Sequence, residues 1–397
     1  MKEPIISKIY IDEKMQNKAL AKNYQSHNPD ADISIIEVNQ AVKDELFNHT
    51  IHEGKRELLL TEKEGHTVKQ CPGTDRIYRC CNYHVINQTT NCPIDCTYCI
   101  LQFYLNNPVT TVYADSKKIF KEVSEKIATQ PRRFFRIGTG ELSDSLAFDS
   151  SSEFSKEIIE AFAHLPNVLL ELKTKSNKID NVIGLDHKGH TVISWSVNPQ
   201  SIITKEEHKA ATLKERLEAA SKVQADGYKI GLHFDPILYH EHWEINYTEL
   251  IQQIFDVIHP KNIAWISMGS LRFPPDMKEK VLEKFPKSKI MFAELIHGMD
   301  GKMRYPKPLR LEMYHHIYSE LKKYGSDDLF IYFCMESEEI WNRVMGWSPD
   351  SNEDLDYLFA RNLYKQFPGL MDKPEKQIYE NGIPLHHEKA SFDKPAF

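Results

Sequence analysis

The sequence predicts an α/β fold, a partial (β/α)6 TIM-type barrel with N-terminal and C-terminal extensions, and three observations carry that prediction. Apolar runs of strand length alternate with amphipathic helical stretches between residues 83 and 300, the pattern of a parallel sheet with helices outside. The runs are apolar through their centres, as strands covered on both faces must be. Polar residues recur where the runs end: Gly138-Thr139-Gly140-Glu141, Thr174-Lys175, Ser196 and Asn198, His233 and Asp235, and Ser267. Barrels of this type build their sites at strand C-termini, which favours a barrel over an open doubly wound sheet.

Residues 1–82 read as an N-terminal extension with short strands at 5–11 and 33–36 and no catalytic signature. Tyr83 to Ile86 reads as the first barrel strand. Asp115 can cap a helix that carries Ile119, Val123 and Ile127 on one face, and Arg133 to Ile137 reads as the next strand. The alternation continues with a helix near 153–164, a strand at 168–172, a short helix near 178–184 and a strand at 192–197. Thr212 and Glu215 have capping-box spacing; strands follow through Ile230 to Phe234 and Ile263 to Met268, with Leu250, Ile251, Ile254 and Ile258 forming a helix face between them. A helix near 276–284 and a further strand at 290–295 complete the barrel at residue 300. Residues 301–347 read as C-terminal cap elements, with a helix at 309–323, a strand at 329–333 ending at Cys334, and a helix containing Trp341. The stretch 348–397 is polar and proline-punctuated and reads as a loosely ordered tail.

At 397 residues, 41% hydrophobic and 27% charged, the composition is that of a soluble globular protein with a substantial core. No apolar run approaches a membrane span and the N-terminus lacks an apolar signal core, so a cytoplasmic protein without a membrane partner is expected. The formal charge of −7 gives no whole-molecule attraction for nucleic acid, which would need a local basic groove. Two short basic clusters, Arg132-Arg133 and Arg304 to Arg310 with Lys302 and Lys307, read as solvated faces.

Seven cysteines suit a reducing compartment and a metal better than a disulfide framework. Three of them, Cys92, Cys96 and Cys99, form a C-x3-C-x2-C triplet on one short loop after the first barrel strand. Three thiolates can hold three irons of a 4Fe-4S cluster and leave the fourth iron without a local ligand. Zinc, whose usual pattern is two paired sets of ligands, and three unrelated thiols are the alternatives. Cys71, Cys80 and Cys81 read as buried thiols, with a second metal site as the alternative. Gly138-x-Gly140 lacks the third glycine of a dinucleotide loop, because position 143 is Ser; the turn lets a ligand approach the backbone closely, and Glu141 can accept hydrogen bonds from an ammonium group. Lys175 and Ser143, on neighbouring strand ends, can bind a carboxylate. His240-Glu241-His242 lacks a helical metal-binding spacing and reads as a loop.

The cysteine triplet with Gly138-Thr139-Gly140-Glu141 resembles the radical S-adenosylmethionine superfamily and, within it, the spore photoproduct lyase family. The matching stretches run in order: Lys8 to Glu13, Cys92 to Gln102, Ser143-Asp144, Thr174-Lys175, Ser194 to Asn198, Arg216 to Ala220, Gly227-Tyr228, Pro236 to Tyr247 and Arg304-Tyr305. The resemblance implies that Cys92, Cys96 and Cys99 bind the cluster and that Ser143, Lys175, Ser196 and Asn198 hold S-adenosyl-L-methionine, with Glu141 added as a cofactor ligand by the reading of the turn itself. It also implies that Tyr98 and Tyr305 relay a radical, that damaged DNA is the partner, and that a reductant such as flavodoxin or ferredoxin feeds the cluster. One departure stands out: where the family carries a hydrogen-donating cysteine, this chain has Glu141, so that Cys80, Cys81 or Cys334 would donate instead or the substrate would differ.

Overall fold

The computed structural model describes residues 1–48, 54–71, 73, 77–105 and 107–380. Seven parallel strands form one curled sheet in the chain order His84–Ile86, Phe135–Gly138, Val168–Thr174, Thr191–Ser196, Lys229–Ile237, Ile263–Ser270 and Ile331–Phe333. An eighth strand, Val68–Gln70, closes one edge antiparallel to the first. Each parallel strand pairs with its neighbours in chain order, as in Val168↔Phe135, Val192↔Lys229 and Ile266↔Ile331. This is the half-barrel that the alternating pattern predicts, and simple parallel order places every strand C-terminus on one face.

The strand interiors are buried without exception in Thr191–Ser196 and Ile263–Ser270, which explains why the runs are mostly apolar through their centres. Helices cover the outside. Ser116–Thr129 turns Ile119, Val123 and Ile127 inward, but Asp115 does not cap it; its carboxylate pairs with Lys18 at 3.0 Å. Thr212 and Glu215 form the full capping box at the head of Leu213–Ala225.

Five differences from the sequence reading have physical causes. Residues 178–184 form turns rather than a helix, held by Ile179 accepting from the backbones of Val182 and Ile183. Residues 290–295 are not a strand: Ile290–Phe292 is a 3-10 turn, and the hairpin after it pairs Ile296–His297 with Met303–Arg304 in a small antiparallel sheet. Ile331–Phe333, expected in a separate cap, adds to the barrel edge beside Ile263–Ser270. The boundary at residue 82 does not separate the sheets, because Thr110–Tyr113 and Thr89–Thr90 complete the N-terminal sheet of Asp32–Ile36, Lys8–Asp12 and Glu57–Thr61. Strand identity is local, but the choice of sheet is not.

The last difference lies in the expected tail. Ser351 caps a helix over Asn352–Gln366 that buries Leu355, Phe359 and Leu363, a four-residue spacing masked by its polar neighbours. Its Asn362 amide donates to the Ala264 carbonyl at 2.9 Å, and Asp356 forms a buried ion pair with Arg133. A short helix, Lys376–Glu380, follows; residues 381–397 of the expected tail lie outside the described residues.

Candidate active site

The C-terminal face of the barrel opens into a cavity of about 300 Å3. Its lining brings together Cys92, Cys96, Cys99, Tyr98, Glu141, Ser143, Lys175 and Ser196. The sequence reading had named each of these residues.

The cysteine loop is curled by its own backbone and by charges beneath it. Asn91 takes a left-handed φ of +70°, its side-chain oxygen accepts from the Cys92 N–H at 2.8 Å, and the Gln102 amide donates to the carbonyls of Cys96, Thr97 and Cys99 at 3.0, 3.1 and 3.3 Å. Asp95 receives the ammonium groups of Lys55 and Lys284, both at 2.8 Å. Those two cations hold the Asp95 carboxyl far below the usual carboxylate range against its burial. Asp95-Cys96 also pairs with Glu207-His208, so the loop is fixed before any ligand arrives. All three thiols are free of disulfides. Burial pushes Cys92 up to about 12 and raises Cys96 well above the usual thiol value, so as thiolates these groups call for a cation among them.

The loop after Phe135–Gly138 depends on close packing. A Cβ on Gly138 would lie 1.7 Å from the Tyr83 hydroxyl, and one on Gly140 would lie 2.7 Å from both the Cβ and the carbonyl oxygen of Lys173. Only glycine fits at either place. Asp144 then fastens the loop: one oxygen accepts from the Thr174 hydroxyl at 2.6 Å and the other from the Lys175 N–H at 2.6 Å. Within the loop, the buried Ser143 hydroxyl has no partner among the described residues. Glu141 pairs with Lys173 at 3.2 Å, and the Lys175 ammonium stands 5.7 Å from the Tyr98 ring centre.

Three other candidates lie off the lining. Asn198 does not line the cavity: its amide donates to Glu207 at 3.1 Å and its oxygen accepts from the Tyr247 hydroxyl at 3.0 Å, which satisfies the buried group. Tyr305 is fully buried away from the lining, with its hydroxyl accepting the Tyr239 N–H at 3.1 Å. Cys334 stands behind the wall, where its sulfur accepts from the Arg272 guanidinium at 3.3 Å. The basic clusters are solvated only at Arg132 and Lys307. Arg304 and Arg310 are buried against Asp300 and Glu336 at 2.9 and 3.2 Å, and Arg133 against Asp356.

The sequence reading missed Asp144, Lys173, Glu207, Arg216 and Arg272. Glu207 binds the Tyr98 hydroxyl, Asn198 and the Arg216 guanidinium together; burial opposes its charge, but Arg216 and Lys175 hold it down to about 2. Arg272 grips Asp235 through two bonds of 3.1 Å, and both line the cavity. Lys173 and Arg272 could have been found by their place at the ends of the strands Val168–Thr174 and Ile263–Ser270, Asp144 and Arg216 by the matching stretches that contain them, while nothing local marks Glu207. His240 and His242 occupy the expected loop, where His240 bonds the Leu238 carbonyl at 2.8 Å.

Among the described residues no set of three His, Cys, Asp or Glu is drawn tightly enough to hold a single ion. The three thiols share the lining of one cavity instead, and that donor set, beside the unpartnered Ser143 hydroxyl and the Lys175 ammonium, fits a multi-iron cluster with an amino-acid carboxylate next to it.

A sequence model described as spore photoproduct lyase matches residues 75–333. The spore photoproduct lyase of Bacillus subtilis is 27% identical over 215 residues, covering 53% of this chain and 63% of that protein; that of a Geobacillus species is 28% identical over 214 residues with the same coverage. These alignments thus span less than two thirds of the curated relatives. A solved spore photoproduct lyase with a cysteine-to-alanine substitution shares the fold, with a TM-score of 0.74 and 21% identity over 84% of this chain and 100% of that one. A double mutant with bound AdoMet and dinucleoside spore photoproduct gives a TM-score of 0.73 and 21% identity, covering 83% of this chain and all of that one.

Proposed function

Because the chain belongs to the spore photoproduct lyase family, we propose that it is a radical S-adenosylmethionine enzyme that breaks the carbon–carbon bond of a thymine photoproduct in DNA and restores two thymines. The observation that carries this reading is the meeting of Cys92, Cys96 and Cys99 with Glu141, Ser143, Lys175 and Ser196 in a single cavity. In this reading the three cysteines hold a 4Fe-4S cluster, and Lys175 and the free Ser143 hydroxyl bind the carboxylate of S-adenosylmethionine while Glu141 accepts from its amino group. When bound, the reduced cluster and S-adenosylmethionine supply a carbon radical able to take hydrogen from an unreactive C–H bond.

The chain's own residues position and protect. Asp144 keeps Ser143 and Lys175 on adjacent strand ends. Tyr98 lines the cavity as a neutral phenol: burial, followed by the Glu207 charge, pushes its ionisation well above the usual tyrosine value, so its O–H stays available as a hydrogen carrier. Tyr305 is too deeply buried to touch a ligand directly and would act only through neighbours. Asn198 acts through Glu207. The reductant is a flavodoxin or ferredoxin and the compartment the cytoplasm; among the described residues no helix is long and apolar enough to cross a membrane.

A second reading, the same radical chemistry on another substrate, draws on the cavity wall. Two ion pairs, Glu141 with Lys173 and Asp235 with Arg272, present charge that a pair of thymine rings does not require. Cluster-loaded protein given S-adenosylmethionine, dithionite and DNA irradiated in the dry state separates the readings. Restored thymine supports the first; cofactor cleavage with the lesion untouched supports the second.

A further inference from the structure

A cluster held by Cys92, Cys96 and Cys99 takes its electron from outside the chain, and electron transfer falls off steeply with distance, so the donor has to dock over the cysteine loop. The cavity side of that loop is given to S-adenosylmethionine and substrate. The donor needs another approach.

Residues 280–289 carry four lysines and lie against the loop. Lys280 stands 5.1 Å from the ring centre of Phe103, in the short helix Leu101–Tyr104 that follows Cys99. One turn on, Lys284 bonds Asp95 at 2.8 Å, between Cys92 and Cys96. The buried Ser288 hydroxyl donates to Glu206 at 2.7 Å, and Glu206 also accepts from the Thr97 hydroxyl at 2.6 Å. Lys287 and Lys289 therefore flank a residue pinned to the loop just after Cys96. None of the four lysines lines the cavity. Cys92 and Cys99, both only partly buried, also border a separate cleft of about 10 Å3 with Lys55, Leu101 and Gln102, which is too small for a ligand.

Positive charge is left over here because the carboxylates of the loop are already bonded. Asp95 is shared by Lys55 and Lys284, Glu206 serves Thr97 and Ser288, and Glu207 is paired with Arg216. Lys280, Lys287 and Lys289 are exposed and have no carboxylate partner among the described residues. Glu279 and Glu283 are exposed too, but each lies one residue before Lys280 or Lys284, about 100° round the helix. Beside the lysines, Phe103 and Phe285 are half-buried, with Phe285 stacked on His208 at 5.5 Å. Lysines next to half-exposed rings suit a small, charge-steered contact of the kind electron carriers make.

We propose that Lys280, Lys287 and Lys289, with Phe103 and Phe285 beside them, form the docking surface for an acidic one-electron carrier protein of the flavodoxin type, an assignment that rests on the cluster reading above. The formal charge of −7 repels an acidic partner from the molecule as a whole, so a local basic surface both attracts and orients it. One electron leaves the reduced flavin of the carrier and enters the cluster, and no bond forms or breaks at the interface. A phosphate backbone is also drawn to lysines, but a DNA lesion has to enter the cavity, and none of these three lysines borders it.

The probe is an acidic bacterial flavodoxin. In its reduced form it should bleach the visible absorbance of cluster-loaded protein at a rate that falls at least ~tenfold from low to high salt. The triple variant Lys280→Glu, Lys287→Glu, Lys289→Glu should slow that bleaching at least ~tenfold at low salt. Bleaching by dithionite, and 5'-deoxyadenosine formed with dithionite, should stay within about twofold of wild type. Calorimetry of oxidised flavodoxin with cluster-free protein should show the same loss of affinity without any turnover. Flavodoxin reduction that ignores salt in the unaltered protein would overturn the assignment, and so would a wild-type rate in the triple variant or an equal loss with dithionite. A variant that loses affinity for duplex DNA and keeps its flavodoxin rate would make this a phosphate-binding surface and overturn it as well. Lysine-dependent bleaching with the photoproduct left intact would support the docking surface while ending the photoproduct reading, whereas protein that never takes up iron would remove the cluster reading and this surface's role together.

Discussion

Asp144 joins two strand ends by accepting the Lys175 backbone N–H at 2.6 Å. Its other oxygen accepts from the Thr174 hydroxyl and from the N–H groups of Leu146 and Ala147, at 2.6, 3.0 and 2.9 Å. Four donors converge on one carboxylate; Ser143 precedes it in sequence, and Lys175, from the neighbouring strand end, is one of the donors. The carboxylate thus sets the spacing between the hydroxyl and the ammonium assigned to the cofactor.

Replacing Asp144 with Ala leaves those donors unsatisfied in a part-buried place, at a stability cost of about 1–3 kcal/mol. Asp144→Asn keeps the shape and should cost less, while weakening S-adenosylmethionine binding by roughly tenfold. Urea unfolding and calorimetry of the cluster-loaded variants measure the two effects separately.

Gly140→Ala puts a methyl group 2.7 Å from the Lys173 backbone oxygen and Cβ. The loop has to shift, and because Lys173 sits in a barrel strand, the displaced partner is the Glu141–Ser143 segment. Cluster absorbance should persist in this variant while 5'-deoxyadenosine formation falls at least ~tenfold; normal formation would mean that the turn does not set the cofactor's place.

Any one of Cys92→Ala, Cys96→Ala and Cys99→Ala should abolish stable cluster loading, because a cluster bound through three thiols loses a third of its anchorage. Iron and sulfide per protein after anaerobic gel filtration are the readout. Removing Cys80 should leave the iron content as it was.

Glu207 is a carboxylate at neutral pH in the fold, held down to about 2 against an unfolded value of about 4.3. A depressed pKa adds stability that is full above the unfolded value and is lost as the pH falls toward 2. Glu207→Gln should therefore flatten the acid limb of the stability profile between about pH 4 and 2, while leaving Arg216 buried without its countercharge and lowering stability at neutral pH. Thermal unfolding of both proteins across that range tests the sign.

The barrel was legible because strand alternation and apolar centres are local signals, and Cys92, Cys96, Cys99, Glu141, Ser143, Lys175 and Ser196 were legible because motif spacing and strand-end position are local too. What stayed hidden depends on pairing across sequence distance. Nothing near Asp356 announces Arg133, and nothing in Arg304 to Arg310 announces Glu336, so buried cations read as surface. Asn198 had the right place in sequence, but its amide is taken up by Glu207 and Tyr247. The helix Asn352–Gln366 was hidden because its few buried apolar residues, Leu355, Phe359, Ala360 and Leu363, are set among polar ones.

The most direct test of the central claim is anaerobic turnover of dinucleoside spore photoproduct by cluster-loaded protein with S-adenosylmethionine and dithionite, with thymine and 5'-deoxyadenosine quantified together by chromatography. The account predicts thymine release that depends on Cys92, Cys96 and Cys99 and on S-adenosylmethionine. An unchanged photoproduct under conditions in which the cluster is loaded and reduced would contradict it.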